Sequence, residues 1–277
     1  MKIYEIYGMR LHPLFDKLVT YPQLEKLTAF AVLKHYTPRD LGILMNYGVG
    51  LEIEAENAHE FMSGRWQMAQ DNSLRNNGME YKTRYGVRIG HLPAILEELP
   101  AQSKDWDFSE RTSVHVHLDC RMLTPEEIRQ MFILYLLFER SLFRYAGADR
   151  MHNVFCVPYN DSNKCINTND FMNIIGQAEK YTAINLHTLT TFGTIEFRNM
   201  RGSADPNFIF NWVMLLAHLK LYATRITPEN FKGLITSLKT TSRFNHLRDE
   251  VFRGFSNLVQ VESKEVDNAV STAKLFL

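Results

Sequence analysis

Cysteine is scarce in this chain: Cys120, Cys156 and Cys165 are its 3 cysteines. Three scattered thiols give no disulfide framework, and the odd count points to a reducing compartment. Bulk charge is missing too, with 31 basic side chains against 31 acidic ones. That balance provides no basic field for nucleic acid and no polybasic contact with a membrane surface. No uninterrupted apolar run reaches the roughly 18 residues that span a bilayer. The opening Met1-Lys2-Ile3-Tyr4-Glu5 lacks the apolar stretch of a secretory signal. Internal repeats and low-complexity tracts are absent as well. The expectation is a cytoplasmic protein that handles neither nucleic acid nor membrane. Its 277 residues, 45% of them hydrophobic, suffice for a large core.

What the chain has instead is an acidic strand. Gly50-Leu51-Glu52-Ile53-Glu54-Ala55-Glu56 alternates acidic with small or apolar residues, the period of a strand with one buried face. Glu52, Glu54 and Glu56 fall on one side and Leu51, Ile53 and Ala55 on the other. Clustered carboxylates repel unless a cation or solvent separates them. A wet edge strand and a metal-binding wall both satisfy that condition. Two later stretches repeat the alternation. Ser113 to Asp119 places His115, His117 and Asp119 on one face, and Thr194 to Asn199 places Glu196 beside Arg198. If the three strands share a sheet, carboxylates, imidazoles and a guanidinium meet on one surface suited to divalent metal and phosphate.

The remaining chain supplies the frame. A helix is expected from Tyr21 to His35, and Thr37-Pro38-Arg39-Asp40 starts a second. Trp66 to Leu74 reads as a strand closed by a polar turn, and Asn76-Asn77-Gly78 as a tight turn. Met79 to Thr83 alternates again, so Glu80 can join the acidic face. A short helix is expected from Leu92 to Leu99, ending at Pro100. Thr124-Pro125-Glu126-Glu127 carries a capping box for a long helix that stops at Gly147. Another helix is expected over Phe171 to Lys180, followed by two short strands paired around Gly193. Asp205-Pro206 and Thr227-Pro228 open two more, and the last stretch reads as helical and polar. His152, Cys156 and Cys165 match no common zinc spacing. His-x-His also occurs in cupins and amidohydrolases, but Asp119-Cys120-Arg121-Met122 supplies no cupin glutamate, and residue 115 is late for the first barrel strand of an amidohydrolase.

In combination, the motifs resemble the amidoligases, a branch of the glutamine synthetase and glutamate–cysteine ligase superfamily. The resemblance rests on Gly50 to Glu54, Trp66 to Leu74 and Gly78-Met79-Glu80. It continues through His115 to Asp119, Arg150-Met151-His152-Asn153 with Phe155-Cys156, Tyr181 to Leu186, and Thr194 to Pro206. It covers roughly residues 49 to 215. It implies an α+β fold whose curved, mainly antiparallel sheet forms a concave active-site face with helices packed outside, as in the glutamine synthetase catalytic domain. Residues 1–47 would then be an N-terminal arm or small lobe, 48–225 the catalytic core, and 226–277 a helical C-terminal extension packed on it.

The resemblance also implies an ATP-dependent carboxylate–amine ligase that forms an amide or isopeptide bond through an acyl phosphate. Carried over by motif, Glu52, Glu54, Glu80, His115 and Glu196 would hold two or three Mg²⁺ or Mn²⁺ ions. His117 would lie near the nucleotide phosphates, and Arg198 would stabilise the transferring phosphoryl group beside Glu196 and Glu52. Arg150 and Arg201 are candidates for phosphate or a substrate carboxylate, and Asp71 and Ser73 for the acceptor side. The amine and carboxylate would be small molecules or peptide side chains, and a homo-oligomer is compatible with the sequence. Glu56 and Asp119-Cys120 depart from the family pattern. A metal-dependent hydrolase and a catalytically inactive ligase-like binding protein are the rival readings.

Overall fold

Strand pairing decides where every site residue lies. The computed structural model describes residues 1–9, 18–20, 36–161, 171, 174–175 and 181–277. The strands are β1 (Gly48–Ala55), β2 (Trp66–Gln70), β3 (Met79–Thr83), β4 (Val87–Arg88), β5 (Ser113–Asp119), β6 (Ile184–Asn185) and β7 (Thr194–Arg201). They form one open antiparallel sheet in the order β2-β3-β1-β5-β7-β6, with β4 paired to the start of β1. The fold is α+β, and the three motif-bearing strands β1, β5 and β7 lie side by side.

The helices, numbered among the described residues, are α1 (Ile3–Ile6), α2 (Pro38–Met45), α3 (Leu92–Leu96), α4 (Leu99–Gln102), α5 (Pro125–Gly147), α6 (Thr188–Thr191), α7 (Pro206–Ala223), α8 (Pro228–Ser237), α9 (Thr241–Val251) and α10 (Ser263–Lys274). The apolar half of each alternating strand is fully buried: Leu51, Ile53 and Ala55 on β1, Val114, Val116 and Leu118 on β5, and Ile195 and Phe197 on β7. α5 and α7 pack over these side chains and against each other. The ring of Tyr135 on α5 lies 5.6 Å from that of Phe197. α7 is apolar on nearly every side, the composition of a helix enclosed by its own fold.

Local chemistry sets the helix starts. Thr124 accepts the Glu127 N–H while the Glu127 carboxylate accepts the Thr124 N–H, closing the expected capping box. Asp205 accepts the N–H groups of Asn207 and Phe208 at the start of α7, and Thr37, Thr227 and Thr240 cap α2, α8 and α9 in the same way.

Several expectations change. The helix expected from Leu92 to Leu99 is two short helices, α3 and α4, and Pro100 stands in the first turn of α4 instead of terminating a helix. The first turn tolerates proline because its N–H groups have no partner there in any case. The polar C-terminal stretch is amphipathic: Phe244, Leu247, Val251, Val266 and Val270 are buried. Phe244 and Phe252 pack against Phe138 of α5 with ring centres 5.0 Å apart. The helix expected from Tyr21 to His35 lies outside the described residues, as do Cys165 and most of the one expected from Phe171 to Lys180. Among the described residues, no helix is long and apolar enough to cross a membrane.

Candidate metal centre

Register brings the polar halves of the strands together. Across β1 and β5, Glu52 is opposite His115 and Gly50 opposite His117. Across β5 and β7, His117 is opposite Glu196, and across β1 and β3, Glu54 is opposite Glu80. Between Val114 and Val116 the partner on β7 steps from Met200 to Phe197, so β7 carries one extra residue. This bulge breaks the alternation of β7. Met200 enters the core while Glu196 and Arg198 line a cavity of about 820 Å³ on the other side of the sheet. Glu52, Glu54, Glu80, His115 and His117 line the same cavity.

Glu52, His117 and Glu196 each present one donor atom such that all three lie within 4.8 Å of one another. Thr194 holds the His117 ring by its Nδ1 at 3.1 Å. His117 Nε2 is buried, has no hydrogen-bond partner among the described residues, and lies 3.5 Å from Glu52 Oε1. A ring fixed through one nitrogen with the other aimed at two carboxylates is how proteins present a histidine to a metal. Asn185 donates to Glu196 Oε2 at 2.7 Å, and Arg198 Nη1 donates to Glu196 Oε1 at 2.5 Å. Two carboxylates and one imidazole converging on one point are a donor set for a divalent metal ion.

His115 stands against the same two carboxylates. Its Nε2 is 2.7 Å from Ser113 Oγ, and its Nδ1 is 3.4 Å from Glu52 and 3.5 Å from Glu196. Ser113 Oγ also donates to Glu54 at 2.5 Å, so Glu54, Ser113 and His115 form one buried chain. Electrostatics follow from this packing. Burial opposes the charge on Glu52, but the imidazoles of His115 and His117 beside it outweigh that and hold the carboxyl well below its usual range. For Glu196, burial is likewise overcome, by the charges of His115 and Arg198. Burial, with the neighbouring Glu52 charge, pushes Glu80 up despite its contact with Lys82.

Other expected site residues lie elsewhere. Arg150 is 2% exposed and spends its guanidinium on backbone carbonyls: Thr112 at 2.9 Å, Arg198 at 3.3 Å and Glu110 at 3.4 Å. Arg201 is exposed, with its guanidinium 5.2 Å above the Phe208 ring. Neither lines the cavity. Asp119 does not share the face of His115 and His117 in function: Arg121 takes its carboxylate with Nε at 2.8 Å and Nη2 at 3.1 Å, away from the cavity. Glu56 also leaves the acidic face. β1 ends at Ala55, Glu56 pairs with Asp107, and its carboxylate accepts the Arg75 N–H. Asp71 and Ser73 do line the cavity.

Sequence reading missed Lys82 and Arg111, and the rim aromatics Phe155, Tyr181 and Phe192. Lys82 had a usable signal, since it stands two residues after Glu80 on the same strand face. The aromatics come from loops and a helix end, where no period marks them. No protein-family model matches the chain, and a search of curated proteins finds no similar sequence.

Proposed function

We propose that this chain is an ATP-dependent carboxylate–amine ligase that works with Mg²⁺ or Mn²⁺. The observation that carries the reading is the convergence of Glu52, His117 and Glu196 within 4.8 Å, with Arg198 bonded to Glu196, in one cavity of about 820 Å³. Phosphoryl transfer needs positioning and neutralisation of charge more than covalent help from the protein. Glu52, His117 and Glu196 would hold the divalent ion, which supplies Lewis-acid neutralisation of phosphate oxygens when bound. Glu196 and Asn185 fix the Arg198 side of the site, so the guanidinium meets the transferring phosphoryl group with little reorganisation.

The chemistry balances in two steps. A substrate carboxylate oxygen bonds to the γ-phosphorus, the bond to the β-phosphate oxygen breaks, and ADP leaves. An amine nitrogen then bonds to the acyl carbon, phosphate departs with the former carboxylate oxygen, and the amine proton passes to a carboxylate of the cleft. Glu80 suits that acceptor role: burial raises its proton affinity and it lines the same cavity. A metal-dependent hydrolase draws on the same triad, since two carboxylates and an imidazole also activate water. Lys82, Arg111 and Arg198, which line the same cavity, favour an anionic, phosphate-bearing substrate.

The test is ADP release from ATP in the presence of carboxylates and hydroxylamine, which converts an acyl phosphate to a hydroxamate. Metal-dependent ADP and hydroxamate in equal amounts, lost in Glu196→Ala, is the expected result. Hydrolysis of esters or amides without nucleotide, with no ADP under any pairing, would replace the ligase by the hydrolase.

A further inference from the structure

β3 contributes two side chains to the cleft, Glu80 and Lys82, and they are bound to each other. Lys82 Nζ lies 2.8 Å from Glu80 Oε2 and 3.3 Å from Glu52 Oε1. Register presets this bridge: Lys82 is directly opposite Glu52, and Glu80 is opposite Glu54. Cross-strand partners on one face stand about 5 Å apart at Cβ, within easy reach of a lysine. An ammonium therefore stands between the two carboxylates that a second divalent ion would have to share.

Charge balance points the same way. Among the described residues, five carboxylates and three cationic side chains line the cavity, leaving a formal charge of two negatives with the histidines neutral. One divalent ion balances that sum. A second on Glu80 would have to displace Lys82 from that carboxylate, whose Oε2 the ammonium already holds at 2.8 Å.

We infer that Lys82 is a built-in cation, so that this cleft holds one resident divalent ion, on Glu52, His117 and Glu196, and no second ion on Glu80. The inference rests on the metal reading of the cleft and not on its reaction. It sets this chain apart from the two or three ions that the family resemblance implies. Any further divalent ion would have to arrive with the phosphates of the nucleotide instead of binding to the empty-handed protein.

Counting ions tests it. Manganese bound per chain is measured by electron paramagnetic resonance of free Mn²⁺, without nucleotide, for the wild type, Lys82→Met and Lys82→Arg. The expected counts are one, two and one. Two ions on the wild type, or one on Lys82→Met with an unchanged circular-dichroism spectrum, would overturn the assignment. The wild-type and Lys82→Arg counts stand as tests even where Lys82→Met folds poorly. No ion on any form would remove the metal centre and this inference together. Counts of one, two and one from a chain that never releases ADP would support the role of Lys82 while retiring the ligase.

Discussion

Arg150 offers a sharp contrast between two roles for one side chain. Family resemblance makes it a ligand for phosphate or carboxylate, whereas in the structure it ties the segment leading into β5 to β7 through the backbone carbonyls of Glu110, Thr112 and Arg198. Arg150→Met keeps most of the aliphatic stem and removes the guanidinium. One of the three bonds is short at 2.9 Å and two are long at 3.3 and 3.4 Å. A charged hydrogen bond contributes about 1.5–3 kcal/mol, and the long ones less. Relief of a buried charge, whose Nε has no partner among the described residues, offsets part of the loss. The net expectation is a destabilisation of about 2–3 kcal/mol. At about 2 °C per kcal/mol for a chain of this size, the melting temperature should fall by about 4–6 °C. Urea unfolding gives the stability, and nucleotide titration well below the new melting point gives the affinity, which should stay within about twofold of wild type. A variant of unchanged stability that no longer binds nucleotide would refute the structural role and restore Arg150 to the ligand.

Two further outcomes follow from buried charges. Arg198→Lys keeps a positive charge but loses the planar fork that spans Glu196 and the cleft, so turnover should fall by about 10²–10³-fold; a fully active lysine variant would remove Arg198 from phosphoryl transfer. Glu139 is fully buried on α5, and burial pushes its carboxyl up to about 7 despite the N–H groups of Tyr159 and Asn160 that it accepts. Its folded value lies above its unfolded one, so its contribution is fully present below about pH 4.5 and is lost as pH rises through about 7, roughly 3 kcal/mol in all. Urea midpoints from pH 4.5 to 8 should therefore decline in the wild type and much less in Glu139→Gln; parallel profiles would show that Glu139 titrates normally.

Local patterns carried much of the site in the sequence. Alternation alone placed Glu52, Glu54, His115, His117 and Glu196 on strand faces, and a period of two leaves little freedom once the apolar half is buried. Thr124 and Asp205 were legible because a cap is a contact between near neighbours. Long-range choices were not. Whether Arg150 reaches a phosphate or a carbonyl depends on packing against residues 38 to 48 positions away. The extra residue on β7 sends Met200 to the core and leaves Arg198 in the cleft, and no composition signal marks it. Lys82 was visible as an alternating residue, but its partner Glu52 is set by pairing with a strand far earlier in the chain.

A thermal-shift titration with ATP, with and without Mn²⁺ or Mg²⁺, on the wild type and Glu196→Ala decides whether this cleft binds a metal nucleotide. Nucleotide at about a hundred times its dissociation constant adds about 2.7 kcal/mol, a rise of about 5 °C for a chain of this length. A rise that needs the metal and vanishes in Glu196→Ala is the predicted result. A rise from metal alone with none from ATP, or an equal rise in Glu196→Ala, would contradict it.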